Sequence, residues 1–402
     1  MRLAKVVISI CLIIMFLVLL LAAACKPAPP TQLPEQFVWT SLKMGSSGHS
    51  ASVGLGEAVR KNIGVPVKVI PDDTDIGGWV PVLTGKASAT FRATSASYAY
   101  SAGIGPVFGL PEWGPQRVRM IWGMPLVVTF GTTKDTGITS WNDMRGKRLP
   151  DYGGWASGVI SLKAMMAAFN IKPEEVTWVP IAGYSAGIES LDEGRIDVTS
   201  IAPYASFAYE LDANKGIVWL EAPKDPEAIA RLLSVAPYFT PMWWDFEGAG
   251  GLTPDKPFWG TGMPYMLMTH ERLESNIAYL ITKGIWEGYD VYKDMHPILK
   301  TATHEAMLDY TRMFDPYHEG TIRYLKEIGV WTAEHERYQQ EKLALEEKRI
   351  AAWEEAAELA KAQGLELDDP AWYDEESGFC IEYLKAEGVI SIPSIEYHEY
   401  SK

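Results

Sequence analysis

The amino-acid sequence predicts an α/β protein of two lobes, each a doubly wound sheet flanked by helices, followed by a C-terminal helical extension. Three observations predict it. Strand-like and helix-like stretches alternate from Phe37 onward, which implies parallel sheets joined by crossover helices. A strand, a turn of small residues and a helix start occur near Gly45 and recur about 110 residues later, so the pattern is laid down twice. After Trp331 the composition changes to Glu, Lys, Ala and Leu with apolar residues at helical spacing.

The N-terminus sets the compartment. Arg2 and Lys5 precede the apolar run Val6 to Leu21, which closes on Ala22-Ala23-Ala24-Cys25 in the form of a secretory signal. The run also approaches the ~20 residues that span a bilayer, so an uncleaved anchor is the other reading. Either way the remainder lies outside the cytoplasm and is tied to a membrane. Lys26 to Thr31 is a Pro-rich spacer within a linker at 26–35.

The formal net charge is −15, from 36 Lys and Arg against 51 Asp and Glu; loss of residues 1–24 removes Arg2 and Lys5 and no acid, giving −17. So acidic a surface argues against nucleic acid or anionic lipid as a partner. Of three cysteines, Cys11 leaves with the signal and Cys25 stands at the cut, which leaves Cys380 without an intramolecular disulfide partner. Stability must come from buried cores, and roughly 375 residues exceed what one core holds.

The first lobe opens with a strand at Gln36 to Leu42, then Met44-Gly45-Ser46-Ser47-Gly48-His49-Ser50, then a helix over 51–62. Glycines let a ligand approach the backbone, serines add donors, and the unpaired first-turn amides favour negative charge, so Gly45, Ser46, Ser47, Gly48 and His49 are candidate anion contacts. A plain tight turn with an N-cap serine fits the same residues. The stretch lacks the Lys-Ser/Thr ending of a P-loop and is no nucleophile elbow. Val67 to Ile70 reads as the second strand, Trp79 to Thr84 as a short helix with Pro81 in its first turn, and Ala87 to Ala93 as the third strand. Asp72-Asp73-Thr74-Asp75 reads as a solvated turn in preference to a cation site. Arg92, at a strand end followed by Thr94, Ser95 and Tyr98, can fork onto a carboxylate or make a structural salt bridge.

The second lobe repeats the device. A strand at 122–130 leads through Ser140 to Arg148 into Asp151 to Gly158, and a helix over 159–169 follows at once, which makes Trp155, Ala156 and Ser157 the matching candidates. Val176 to Pro180 is the next strand, Ser185 to Glu193 a helix beside the candidate Tyr184, and Ile196 to Ile201 a strand with Pro203 and Tyr204 at its exit. Residues 237–257, broken by four prolines, form a long loop that is either a lid or an insertion. Phe258 to Thr269 is the strand returning between lobes, and a long helix over 276–292 rejoins the first. A helix over 332–362 wraps the protein itself, with dimerisation or docking on a partner as the weaker alternative.

The succession Gly45-Ser46-Ser47-Gly48, Thr84-Gly85-Lys86-Ala87, Thr139 to Arg148, Trp155-Ala156-Ser157-Gly158, Leu191 to Asp197, Lys283 to Glu287 and Asp315 to Tyr324 resembles the TAXI group of TRAP-transporter solute-binding proteins over roughly residues 36–331. Cys25 with the residues before it resembles a bacterial lipoprotein signal, which implies acylation at Cys25. The resemblance implies a type II-like periplasmic binding protein fold, with lobe I at 36–127 and 258–331, lobe II at 128–257 and the extension at 332–402. It further implies a lipid-anchored receptor that closes on a small organic anion, a dicarboxylate or amino acid, and delivers it to TRAP permease subunits. Where the group has Thr-Tyr-Tyr after its first glycines, this chain has His49-Ser50-Ala51. Trp79, Trp155, Tyr98 and Tyr184 either fill cores or wall a site for a larger, flatter or aromatic carboxylate.

The seven histidines show no metal spacing and no serine sits in an elbow, so nothing asks for a catalytic role or a cofactor. A receptor serving a membrane sensor or an ATP-driven importer is the alternative.

Overall fold

The computed structural model describes residues 33–309, 314–374 and 378–390. The signal segment, Cys25, the spacer to residue 32 and the stretch 391–402 lie outside the described residues. From Glu35 onward the chain makes one unit.

The first half of lobe I contributes β1 (Phe37–Leu42), α1 (Ser47–Ile63), β2 (Val67–Asp72), α2 (Asp75–Leu83), β3 (Ala89–Ala93), α3 (Thr94–Ala102), α4 (Gly105–Phe108) and β4 (Val118–Val128). Lobe II follows with β5 (Phe130–Thr133), β6 (Arg148–Tyr152), α5 (Ala156–Ala168), β7 (Thr177–Ile181), α6 (Tyr184–Asp192), β8 (Thr199–Ser200), α7 (Ser206–Lys215), β9 (Ile217–Leu220) and α8 (Pro226–Val235). The chain returns through β10 (Thr240–Trp244) and β11 (Phe258–His270) to α9 (Ser275–Trp286), α10 (Tyr289–Tyr292), α11 (His304–Leu308) and α12 (Glu319–Glu327). The extension is α13 (Ala333–Ala362), α14 (Pro370–Tyr373) and α15 (Phe379–Ala386).

β1 pairs in parallel with β2 and β3, as the alternation demands. β11 then lies antiparallel against β3, with Tyr265 opposite Ala93, and also carries β4 and β10. β4 runs through Thr129 directly into β5, so β4 and β11 are the strands by which the chain crosses between lobes. β11 is buried along nearly its whole length, which is why its alternation is poor: a strand covered on both faces has no polar side to show. The lobe II strands divide between an antiparallel β8-β5-β9 sheet and a parallel β6-β7 pair.

Several elements depart from the sequence expectations. α1 starts four residues earlier than Ala51, because Ser46 caps it by accepting the His49 N–H. Pro81 sits inside α2, which begins at Asp75 under the Thr74 cap. The 237–257 stretch is not one long loop, since it contains β10, which pairs with β11 in the sheet that holds β1 to β4. The 276–292 helix is broken at Glu287 and Gly288.

The extension packs on its own chain. Ala352, Trp353, Ala356, Ala357 and Ala360 are buried along α13. Trp353 Nε1 donates to the Gly103 carbonyl at 2.8 Å and Trp372 Nε1 to that of Gly109 at 2.7 Å. Arg119 forks onto Glu346 at 2.7 and 2.9 Å, both side chains nearly buried, and Lys163 of α5 meets Asp374 at 2.6 Å.

Candidate ligand-binding cleft

The lobe I wall of the cleft is the start of α1. Gly45 has φ +94°, a conformation that L side chains rarely adopt, and a Cβ there would sit 2.7 Å from the Phe207 ring of lobe II. Its carbonyl accepts the Ser206 N–H at 3.0 Å, so this glycine is a contact point between lobes. Gly48 serves differently: the Tyr265 hydroxyl lies 1.7 Å from where its Cβ would be, and only a bare backbone lets that ring lie against the helix. The first-turn amides of α1 therefore stay close to the cavity, together with the hydroxyls of Ser46 and Ser47.

Beside them lies Arg92, 1% exposed, at the end of β3. Its Nη2 donates to Asp72 Oδ1 at 2.5 Å and to the Thr74 carbonyl at 3.3 Å. Its Nε and Nη1 have no hydrogen-bond partner, and neither has the Ser47 hydroxyl. Burial pushes the Asp72 carboxyl above the usual carboxylate range while the Arg92 charge pulls it back.

Lobe II answers with two helix starts whose donors are already used. The Ser157 N–H donates to Asp75 Oδ2 at 3.0 Å and its hydroxyl to Oδ1 at 3.3 Å. The Ser185 N–H and hydroxyl donate to the two carboxylate oxygens of Asp73, each at 2.9 Å, and Lys43 Nζ reaches the same hydroxyl at 3.1 Å. The acidic turn is thus no solvated loop: Asp75 is fully buried and two of its carboxylates cap helices across the cleft. Burial pushes Asp75 up to about 6, against the donations from Ser157.

Between these walls is a cavity of ≈ 60 Å³, several times the roughly 10–15 Å³ that one water needs. Among the predicted residues, Ser46, Ser47, Gly48, Arg92, Ser95, Trp155, Ser157 and Tyr184 line it. Ala156 is the buried first residue of α5 and does not line it. His49 turns to Ser41, Nδ1 to Oγ 3.2 Å, and burial lowers its basicity. Thr94 donates to the Pro264 carbonyl at 2.9 Å and so pins β11. Tyr98 is core, against Tyr238 and Phe314. Tyr204 packs on Phe246 and His296, and the Pro203 carbonyl accepts the Ala249 N–H at 2.9 Å.

Trp79 stacks on Tyr100 at 4.9 Å inside lobe I. Of the four rings expected as walls, Trp155 and Tyr184 line the cavity, while Trp79 and Tyr98 do not. The crossing strands supply lining that sequence reasoning missed, including Leu126, Val127, Thr129, Met263 and Tyr265. Ser161 also lines the cavity, one helical turn after Ser157 and bonded to its carbonyl, a position the helical period could have shown. Among the described residues no group of His, Cys, Asp and Glu could hold a metal ion, and no helix is long and apolar enough to cross a membrane.

Residues 108–329, more than half of the chain, match the NMT1-like family. The chain belongs to that family. No curated protein matches it in sequence. Solved structures similar to it include MatC from Rhodopseudomonas palustris with bound malate, 12% identical over 79% of this chain and 100% of that one, with a TM-score of 0.47. The periplasmic binding protein BugD is 12% identical over 83% of this chain and 99% of its own, with a TM-score of 0.45. The amino acid transporter substrate-binding protein AbpA from Streptococcus pneumoniae, bound to L-arginine, is 11% identical over 68% and 96%, with a TM-score of 0.38.

Proposed function

We propose that this protein is an extracytoplasmic solute-binding subunit of a TAXI-type TRAP transporter, tethered through an acylated Cys25, which captures a small organic anion between its lobes and presents it to a membrane permease. In this reading 36–127 with 258–331 and 128–257 are the two lobes, and 332–402 is an extension braced on the first. One observation carries the ligand assignment. Arg92 is buried with two N–H groups unpartnered, beside an unpartnered Ser47 hydroxyl, at a cavity lined by both lobes. Buried donors left without acceptors cost free energy, and a carboxylate supplies what they lack. The order of the motifs that resemble the TAXI group supports the transport role.

The test is native mass spectrometry of the purified protein for a co-purified acid, followed by calorimetry of that acid on the wild type and on Arg92→Gln. The reading expects binding that Arg92→Gln abolishes. Binding of the acid with unchanged affinity in the variant would remove its basis.

A further inference from the structure

We propose that the cleft selects a small monocarboxylate with an apolar body over a dicarboxylate, because Asp75 already occupies the anion seat of the second lobe. This rests on the anion-binding reading of the cleft and narrows its ligand class.

The two walls have the same design and opposite states. On the lobe I side the Nε and Nη1 of Arg92 and the Ser47 hydroxyl have no hydrogen-bond partner, and both residues line the cavity. On the lobe II side the α5 start has given both Ser157 donors to Asp75, and the α6 start has given both Ser185 donors to Asp73. Both acids come from lobe I, Asp73 from the loop that joins β2 to α2 and Asp75 from the first position of α2. The protein therefore supplies its own carboxylates where a second ligand carboxylate would dock.

Charge leads to the same end. Arg92 is the cation at the cavity, and it faces Asp72 as well as any ligand. Lys43 is turned to Ser185. A second carboxylate would be buried near Asp75, and Arg92, whose charge already answers Asp72 and Asp75, is the one Lys or Arg among the described residues of the lining. Among the serines and tyrosines of the lining stand Leu42, Leu126, Val127, Ile201, Ala202 and Met263, surface that favours methyl and methylene groups.

Butyrate and succinate share a four-carbon chain and differ in whether the far end is a methyl group or a carboxylate. Calorimetry of both on the wild type, on Asp75→Asn and on Arg92→Gln tests the proposal. Expected are butyrate binding at least tenfold tighter than succinate in the wild type, and a ratio that moves at least fivefold toward succinate in Asp75→Asn. Succinate binding as tightly as butyrate in the wild type overturns the selectivity, whether or not Asp75→Asn folds. A ratio unmoved in folded Asp75→Asn overturns the role given to Asp75. If succinate wins and Arg92→Gln abolishes its binding, the anion seat stands and the monocarboxylate inference falls. If neither acid binds, or Arg92→Gln leaves butyrate affinity unchanged, the anion reading itself falls.

Discussion

The helix starts at Ser46 and Trp155 are built alike and used differently. Each follows a strand, each opens with small residues, and each lends a serine to the same cavity. At the first, two nitrogens of the buried Arg92 guanidinium and the Ser47 hydroxyl have no acceptor. At the second, the amide and hydroxyl of Ser157 hold Asp75. The difference teaches that a helix N-terminus is an offer of donors, and that what it binds depends on whether another part of the chain has reached it first.

The largest expected effect comes from emptying the unspent side. Arg92→Gln removes the cation from the seat and leaves Asp72 buried beside a neutral amide; ligand affinity should fall at least thirtyfold, in line with the 2–5 kcal/mol typical of truncating a buried charge pair, roughly speaking. Calorimetry reads the affinity and a thermal melt reads the accompanying loss of stability.

The occupied side gives a pH signature. Asp75 has its carboxyl raised to about 6 from 3.8, so the folded state holds this proton more tightly than the unfolded chain. Its contribution is complete below about pH 4 and is lost as pH climbs through 6, a change of roughly 3 kcal/mol at most. Burial of His270, which lowers its imidazole to about 4, works in the opposite direction over the same range and is common to both proteins, so wild-type stability should fall relative to that of Asp75→Asn between pH 4 and 6. A wild-type curve that rises over the interval with the same slope as the variant would contradict the assignment.

Gly48→Ala sharpens the comparison from the geometry of the first seat. The new methyl meets the Tyr265 hydroxyl, and overpacking of this kind costs about 1–3 kcal/mol. Adding Tyr265→Phe removes the clashing oxygen, so the double variant should recover part of the loss in denaturant melts. The smallest effect is expected for Ser157→Ala, because Asp75 keeps the backbone N–H and loses one hydroxyl. A stability loss of about 0.5–1.5 kcal/mol is expected, read by the same melts.

The Gly45 to Gly48 turn and the Trp155 to Ser157 turn were legible because their signals are local: small residues, a preceding strand and an apolar period of 3.6. The partnership of Asp75 with Ser157 was not, since 82 positions separate them and three acids in four residues read locally as a solvated turn. The same limit explains Trp79 and Tyr98. Both lie near cleft loops in sequence, but their rings point into lobe I, and which way a ring on a short helix turns depends on packing from distant elements. Met263 and Tyr265 escaped notice because a strand buried on both faces shows no alternation to mark a functional side. Position along the chain placed β11 correctly where its pattern could not.

The indoles of Trp353 and Trp372 grip the carbonyls that bracket α4, just ahead of the crossing strand β4, while Asp374 holds Lys163 on the far lobe. The tail thus works like the stay on a door: it is fixed to the frame on one side and to the leaf on the other. If the lobes part as the proposed function requires, that fitting has to stretch, and residues that never meet the guest then bear on the gape of the mouth. On that reading, cutting the chain at Trp331 would change how far the door opens as well as how firmly its frame stands.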